Sequence, residues 1–321
     1  MSRRRRIRML GVAGAAALAG LACAASPTAA PPQAPVADGS GAAAAAGPPR
    51  LVVPPHPLDK AGKPILPQTL AVVVGCGQYL APALPDLRGP AEDARALAGW
   101  LARPGATDHE IRVLIDADAT RARILDAIAD VLAARARMDD LVVFVFAGTA
   151  TTDAAGTPVL CAHDTDPDRA AETGLPLADL AARLAAIPHA DILVVLDTGV
   201  GEGSAARFAG TGRADATAVA GALAPLLARP FTAVVTAAEP GEGAGGALGT
   251  VAGLFTWHWC RAAAQVPDPD GDGWIEAREI FARACAAVQQ DAFLDHRAQS
   301  PDWRASEGTD TFLVPRRAAG G

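Results

Sequence analysis

A layered α/β fold on a mainly parallel sheet, with helices on both faces, is the architecture this sequence predicts, and three observations predict it. Short apolar runs recur along the chain: LAVVVG (70–75), IRVLI (111–115), LVVFVFA (141–147), DILVVLD (191–197) and FTAVVTAA (231–238). Strands this continuously apolar are buried on both faces, which is the habit of parallel sheets. Segments of helical period separate most of them, and strand–helix alternation places helices on both sides of such a sheet. The composition agrees, because 50% hydrophobic residues with only 4% aromatics leave Val, Leu, Ile and Ala to fill the core. A chain of 321 residues suffices for one large domain or two small ones.

The N-terminus is processed rather than folded by this reading. SRRRRIRM, then LGVAGAAALAGLACAA, then SPTAAPP is a positive region, an apolar stretch and small residues suited to cleavage, which marks residues 1–25 as a signal peptide. The apolar stretch is too short to span a membrane comfortably. Its arginine run also fits a twin-arginine signal, and Cys23 fits a lipidated cysteine, although Gly20 stands three residues before it where a leucine is usual. Each version puts the mature protein outside the cytoplasm, secreted, periplasmic or lipid-anchored to a membrane through Cys23. Residues 26–68 are rich in Pro, Ala and Gly without apolar periodicity, so they read as a disordered linker that tethers a domain over 69–316.

Within the domain the first helix is GPAEDARALAGWLAR, with Ala94, Leu97 and Leu101 on one face. TRARILDAIADVLAARA is the second, with Thr120 as its N-cap. PLADLAARLAAI follows the third strand, and TVAGLFTWHWCRAAAQ and AREIFARACAAVQQ follow the fifth, before a last apolar run, TFLVP. The net charge of −7 includes Arg3, Arg4, Arg5, Arg6 and Arg8, so the remainder carries about −12, which argues against a nucleic-acid partner. Five scattered cysteines match no CxxC metal spacing. Cys76 ends a strand and Cys285 lies on a helix, as buried free thiols do, and one disulfide in an oxidising compartment is the alternative. Cys161 and His163 share a face but lack two further ligands for zinc.

Seven segments in order, AVVVGCGQY, LPDLRGPAEDARAL, LVVFVFAG, LCAHDTDP, DILVVLDTGVGEG, FTAVVTAA and TFLVPRR, resemble the caspase-like domain of bacterial metacaspase-type peptidases (peptidase C14) over roughly Leu70–Pro315. The resemblance implies a caspase-like sheet with its site at the carboxyl ends of the strands. It places the family's general-base histidine at Thr149, with Ala150 at the neighbouring glycine. Asp197 falls on the family aspartate, Thr198 on the small residue after it, and Gly199 on the nucleophilic cysteine. The two dyad positions are 50 residues apart, as in caspases.

Both chemical groups are replaced, and losing either the nucleophile or the base of a triad costs on the order of 10⁶ in turnover. The expectation is therefore a pseudopeptidase without catalytic residues, acting by binding as a scaffold, decoy or peptide-recognition module. The alternative is an active peptidase or hydrolase with a displaced nucleophile: Thr198 or Ser204 served by His163 or His189, or Cys161. The resemblance also implies that Asp164 and Asp197 line a pocket for an arginine or lysine side chain, which makes a basic peptide or protein the expected partner. On the residues alone, Asp197 caps the next element and Asp164 stabilises a turn.

DPDGDGWIEARE, Asp268–Glu279, fits the twelve-residue calcium loop at each diagnostic position. Asp268, Asp270 and Asp272 stand at 1, 3 and 5, Gly273 at the sharp turn and Ile275 at 8. Trp274 offers its carbonyl, Glu276 stands at 9, and Glu279 provides the bidentate carboxylate from the first turn of the next helix. Calcium is the expected cofactor, and the resemblance implies a structural clip rather than a sensor, since similar acidic loops occur in bacterial caspase-like proteins. An acidic turn that merely starts a helix is the alternative, because no second loop is found to pair with it. GEGAGGALG (241–249) lacks the Lys-Ser/Thr of a phosphate loop. Trp257, His258 and Trp259 read as helix packing with one exposed side chain.

Overall fold

In the computed structural model, the described residues are 68–102, 110–188, 190–198, 216–239, 242, 246, 252–268, 274–307, 309 and 312–315. The signal peptide, the linker up to residue 67, His189, Gly199, Ser204, Asp270, Asp272, Gly273 and most of the glycine-rich stretch lie outside them.

β1 (Thr69–Cys76), β3 (Leu141–Gly148) and β7 (Asp191–Thr198) form the middle of a six-stranded sheet, and every residue of the first two is buried. β2 (Ile111–Ile115) lies outside β1, while β8 (Thr232–Thr236) and β10 (Asp302–Ala305) lie outside β7. The order is β10-β8-β7-β3-β1-β2, parallel throughout except that β10 runs antiparallel to β8. Unbroken apolar sequence is required here because alternate side chains enter two separate cores. Val72, Phe144 and Val194 join one core; Val73, Val143 and Leu193 join the other.

The first core is covered by α2 (Arg121–Ala127), α4 (Leu177–Ala185) and α5 (Ala216–Leu227) through Ile124, Leu180 and Leu223. The second is covered by α1 (Pro90–Leu101), α6 (Leu254–Gln265) and α7 (Ala277–Leu294) through Leu97, Phe255 and Ile280. Leu97 is fully buried, so Leu97→Ala should cost about 2–5 kcal/mol. Trp100 of α1 stacks edge-on against Trp259 at 5.5 Å and donates its indole N–H to the Pro315 carbonyl at 3.1 Å. That bond ties β11 (Leu313–Pro315) to the helical layer. β11 also pairs antiparallel with β9 (Trp274–Glu276), the back of the acidic loop. After β3, a small antiparallel sheet forms from β4 (Ala150–Thr152), β5 (Pro158–Leu160) and β6 (Leu175–Pro176), the last reached through the single turn of α3 (Ala170–Thr173).

The predicted strands and helices appear within a few residues of their expected ends. Thr120 caps α2, accepting from the Arg123 N–H at 3.4 Å. The second half of that helix departs from expectation, because residues Ile128–Ala133 take up a π turn. Cys76, Cys161 and Cys260 are buried free thiols and Cys285 is half-buried. Among the described residues no helix is long and apolar enough to cross a membrane.

Candidate functional site

Parallel pairing brings the carboxyl ends of β1, β3 and β7 together, with Cys76 beside Gly148 and Gly148 beside Thr198. In open parallel sheets this edge is where ligands bind. Thr149 follows Gly148 directly, and it is held by its backbone. Its N–H donates to the Tyr79 hydroxyl at 2.8 Å, which donates in turn to the Cys76 carbonyl at 2.7 Å. Its own carbonyl accepts from the Cys161 N–H at 2.9 Å. Gly148 makes the close approach feasible, since a Cβ there would stand 2.8 Å from the Cys76 carbonyl oxygen. Burial, then the nearby Cys76, pushes the Tyr79 phenol well above its usual range, so it stays protonated and able to donate.

The thiols at this edge are insulated. Burial and then Asp116 push Cys76 up to about 12, and burial and then Cys76 push Cys161 up to about 12. At neutral pH a thiol of that pKa is ionised to only about 1 part in 10⁵, too little to make a nucleophile. The Cys76 sulfur approaches the Gln78 carbonyl at 3.6 Å. His163 is used elsewhere: its Nδ1 bonds the same carbonyl at 2.7 Å, its N–H donates to Ala119, and its carbonyl accepts from Leu80. His258 bonds Asp291 at 2.8 Å on the α6–α7 pair. Among the described residues, none of Cys76, Cys161 and Thr198 meets an imidazole in a hydrogen bond.

Asp164 and Asp197 have different surroundings. Asp164 is exposed and accepts from the Arg121 N–H at 2.8 Å, at the start of α2. Asp197 is buried at the end of β7 and accepts from the Thr256 hydroxyl at 2.8 Å. The carboxylate next to Asp197 is Asp93 of α1, also buried, which accepts from the Gly253 N–H at 2.8 Å. Gly253 is the N-cap of α6. A Cβ on Gly253 would stand 2.9 Å from the Asp93 Oδ2 and 3.1 Å from the Asp197 Oδ2, so the two oxygens lie no more than about 6 Å apart. Glycine is required at that position, and no cation among the described residues pairs with either acid.

Burial and then the Asp197 charge push Asp93 up to about 8, against the pull of the Gly253 N–H. Burial also raises Asp197, against the pull of Thr256. Near neutral pH the pair therefore keeps one proton between its members, as like charges this close in a low-dielectric site do. Chemically the pair can hold a proton between its carboxylates, or release it and carry a second negative charge. Asp93 was overlooked in the sequence, yet a signal was there: it sits on the buried stripe of α1 with Pro90, Ala94, Leu97 and Leu101, where a carboxylate is seldom found.

At the acidic loop, Asp268, Trp274, Glu276 and Glu279 belong to the described part, between α6 and α7. Ile275 is buried and pairs with Val314 of β11. Glu279 forms an ion pair with Arg283 at 3.0 Å, one turn along α7. Trp259 is fully buried, Trp257 is partly exposed beneath Arg261, and His258 lies between them.

Compared with known proteins, residues 68–313 match the family described as Peptidase C14, caspase domain. No curated protein sequence matches the chain. Two solved structures share the fold. Protein GSU0716 from Geobacter sulfurreducens is 18% identical with a TM-score of 0.52, covering 78% of this chain and 98% of its own. The structure of pro-sf-caspase-1 is 13% identical with a TM-score of 0.51, covering 75% of this chain and 92% of its own.

Proposed function

Since the chain belongs to the caspase-domain family, we propose that it is a pseudopeptidase which keeps the family's scaffold, lacks its cleavage chemistry and acts by binding a basic side chain. The observation that carries this reading is the Asp93–Asp197 pair, two buried carboxylates at the carboxyl edge of the sheet with no described cation between them. Desolvated acids that perturb each other are candidates for a functional site. The resemblance pairs Asp197 with Asp164 in that pocket; here Asp93 takes the place beside Asp197 instead. Loss of cleavage is supported by Thr149 and Gly199 at the two dyad positions and by the high pKa of both nearby thiols.

Calcium in the Asp268–Glu279 loop would brace the α6–α7 pair through Asp268, Asp270, Asp272, Glu276, Glu279 and the Trp274 carbonyl, the donor set a hard cation takes. Export through residues 1–25, with anchoring through Cys23 as a variant, would place the domain where calcium is plentiful.

The test is peptide turnover by the purified chain on fluorogenic substrates with Arg, Lys or Asp before the scissile bond, alongside calorimetric titration with an arginine-bearing peptide. Binding without turnover, weakened at least tenfold in Asp93→Asn, is the expected result. Turnover abolished by changing Cys161 or Thr198 would instead establish the active hydrolase.

A further inference from the structure

Among the described residues one edge of the central sheet is open. Among the described residues β2 pairs on one side only, with β1, in the register Val72↔Arg112, Val73↔Val113 and Val74↔Leu114. Its outer edge therefore presents unpaired N–H and C=O groups, which template a further strand unless something blunts them. β2 carries a single charge, Arg112, and leaves Val113 36% exposed.

The register fixes which side each residue serves. Arg112 shares a face with Leu114, which pairs with Val74 and joins the core that holds Val72, Ile124 of α2 and Ile128 of the π turn. Val113 shares the opposite face with Ile111 and Ile115, which pack against the core under α1. A strand laid outside β2 would thus meet a basic residue on one side and an apolar row on the other.

The basic side is hollowed. Two adjoining cavities of about 410 and 530 Å³ lie there and share Ala134 and Arg135 as lining, each in the size range of a ligand pocket. The π turn over Ile128–Ala133 ends α2 at this point, and π turns recur at functional sites. Arg135 turns back so that its Nε donates to the Asp130 carbonyl at 3.1 Å. Arg112 lines one cavity with Asp130, and Arg137 lines the other with Glu110. None of the three arginines forms an ion pair with these carboxylates or with any other described residue. In a chain of net charge −7 this is a local excess of positive charge.

We propose that the β2 edge and this groove dock an extended acidic segment of a partner protein, which adds as a seventh strand outside β2. Its alternate side chains are acidic toward Arg112 and Arg135 and apolar toward Val113. Main-chain hydrogen bonds supply affinity in this mode and the alternating side chains supply specificity. A second copy of this chain is a poor occupant, because its own β2 would set a second Arg112 and Arg135 against the first. The site lies on the sheet edge away from the Asp93–Asp197 pair and does not depend on whether that pair binds a ligand.

Fluorescence anisotropy on the full-length chain tests this with two labelled peptides of about ten residues and equal composition. One alternates Glu with Val and Thr; the other gathers its Glu residues in a block. The alternating peptide should bind saturably, about tenfold or more tightly than the blocked one, and weaken as salt rises from about 50 to about 300 mM. Arg112→Glu with Arg135→Glu should weaken it by about tenfold or more, with the melting temperature unchanged because both side chains are exposed. Val113→Lys should weaken it with the arginines intact. Equal affinity for the blocked peptide would reduce the groove to a general anion site and overturn the proposal. So would undiminished binding to the double variant, absence of saturable binding, or dimerisation of the chain abolished by Val113→Lys.

Discussion

Replacing Asp93 with Asn should make the protein more stable in alkali and leave it unchanged in acid. Asp93 titrates at about 8 when folded and near 3.9 when unfolded. The folded chain therefore binds more protons, and the contribution of this group to stability is whole below about pH 4 and is lost as pH rises through about 8. Four units correspond to about 5–6 kcal/mol at most. Part of that is relieved by local rearrangement, so a measured span of about 2–4 kcal/mol is expected, set against a total stability of about 5–15 kcal/mol. Asn keeps an oxygen for the Gly253 N–H but carries no charge to oppose Asp197. Urea unfolding of both proteins at about pH 4 and about pH 8.5 gives the difference directly, with other titrating groups cancelling. The variant should match the unaltered chain within about 1 kcal/mol at the lower pH and exceed it by about 2–4 kcal/mol at the higher. A variant no more stable at pH 8.5 would show that the two carboxylates are not in repulsive contact, and the pair as described would be wrong.

Tyr79→Phe strips a donor from the Cys76 carbonyl and an acceptor from the Thr149 N–H, and unfolding should register a loss of about 1–3 kcal/mol. Gly253→Ala drives a methyl to within 2.9 Å of the Asp93 carboxylate; a loss of about 1–3 kcal/mol is expected in the same assay. Calcium at about a hundredfold above its dissociation constant should add about 2.7 kcal/mol, chelator should reverse it, and Glu279→Gln should remove most of it. Alkylation followed by mass spectrometry at pH 7.5 should label half-buried Cys285 before Cys76 and Cys161, whose thiols titrate at about 12.

The parts of this fold written in sequence are those whose burial is uniform. β1, β3 and β7 are enclosed on both faces, so their runs are apolar without interruption and their ends fall within a residue or two of expectation. α5 was not anticipated, because Gly221 and Pro225 interrupt ATAVAGALAPLL and both residues disfavour a helix interior. β10 and β4–β6 are two to four residues long, shorter than any window over which a period of two can be told from chance. The three-part link from Thr149 through Tyr79 to Cys76 joins residues 70 positions apart, and no local pattern announces it. Asp93 was within reach, since a carboxylate on the apolar stripe of an amphipathic helix asks for a partner. Its partner, Asp197, is 104 residues away in the chain.

The cost of that pair bears on what it is for. α6 could be anchored to β7 by Thr256 and a neutral acceptor, and Gly253 could be held by an Asn side chain, at no electrostatic expense. Instead two acids face one glycine, and each raises the free energy of ionising the other. An arrangement that weakens the fold near neutral pH is better explained by a cation that arrives than by folding alone. The nearby thiols show the opposite economy, sealed from solvent and held neutral. If a guanidinium enters, it must displace the shared proton, so binding should release protons near pH 7 and strengthen as pH rises toward about 8. Titrating an arginine-bearing peptide in two buffers of different ionisation enthalpy measures that release. Proton uptake, or none, would mean that the ligand does not meet the carboxylates.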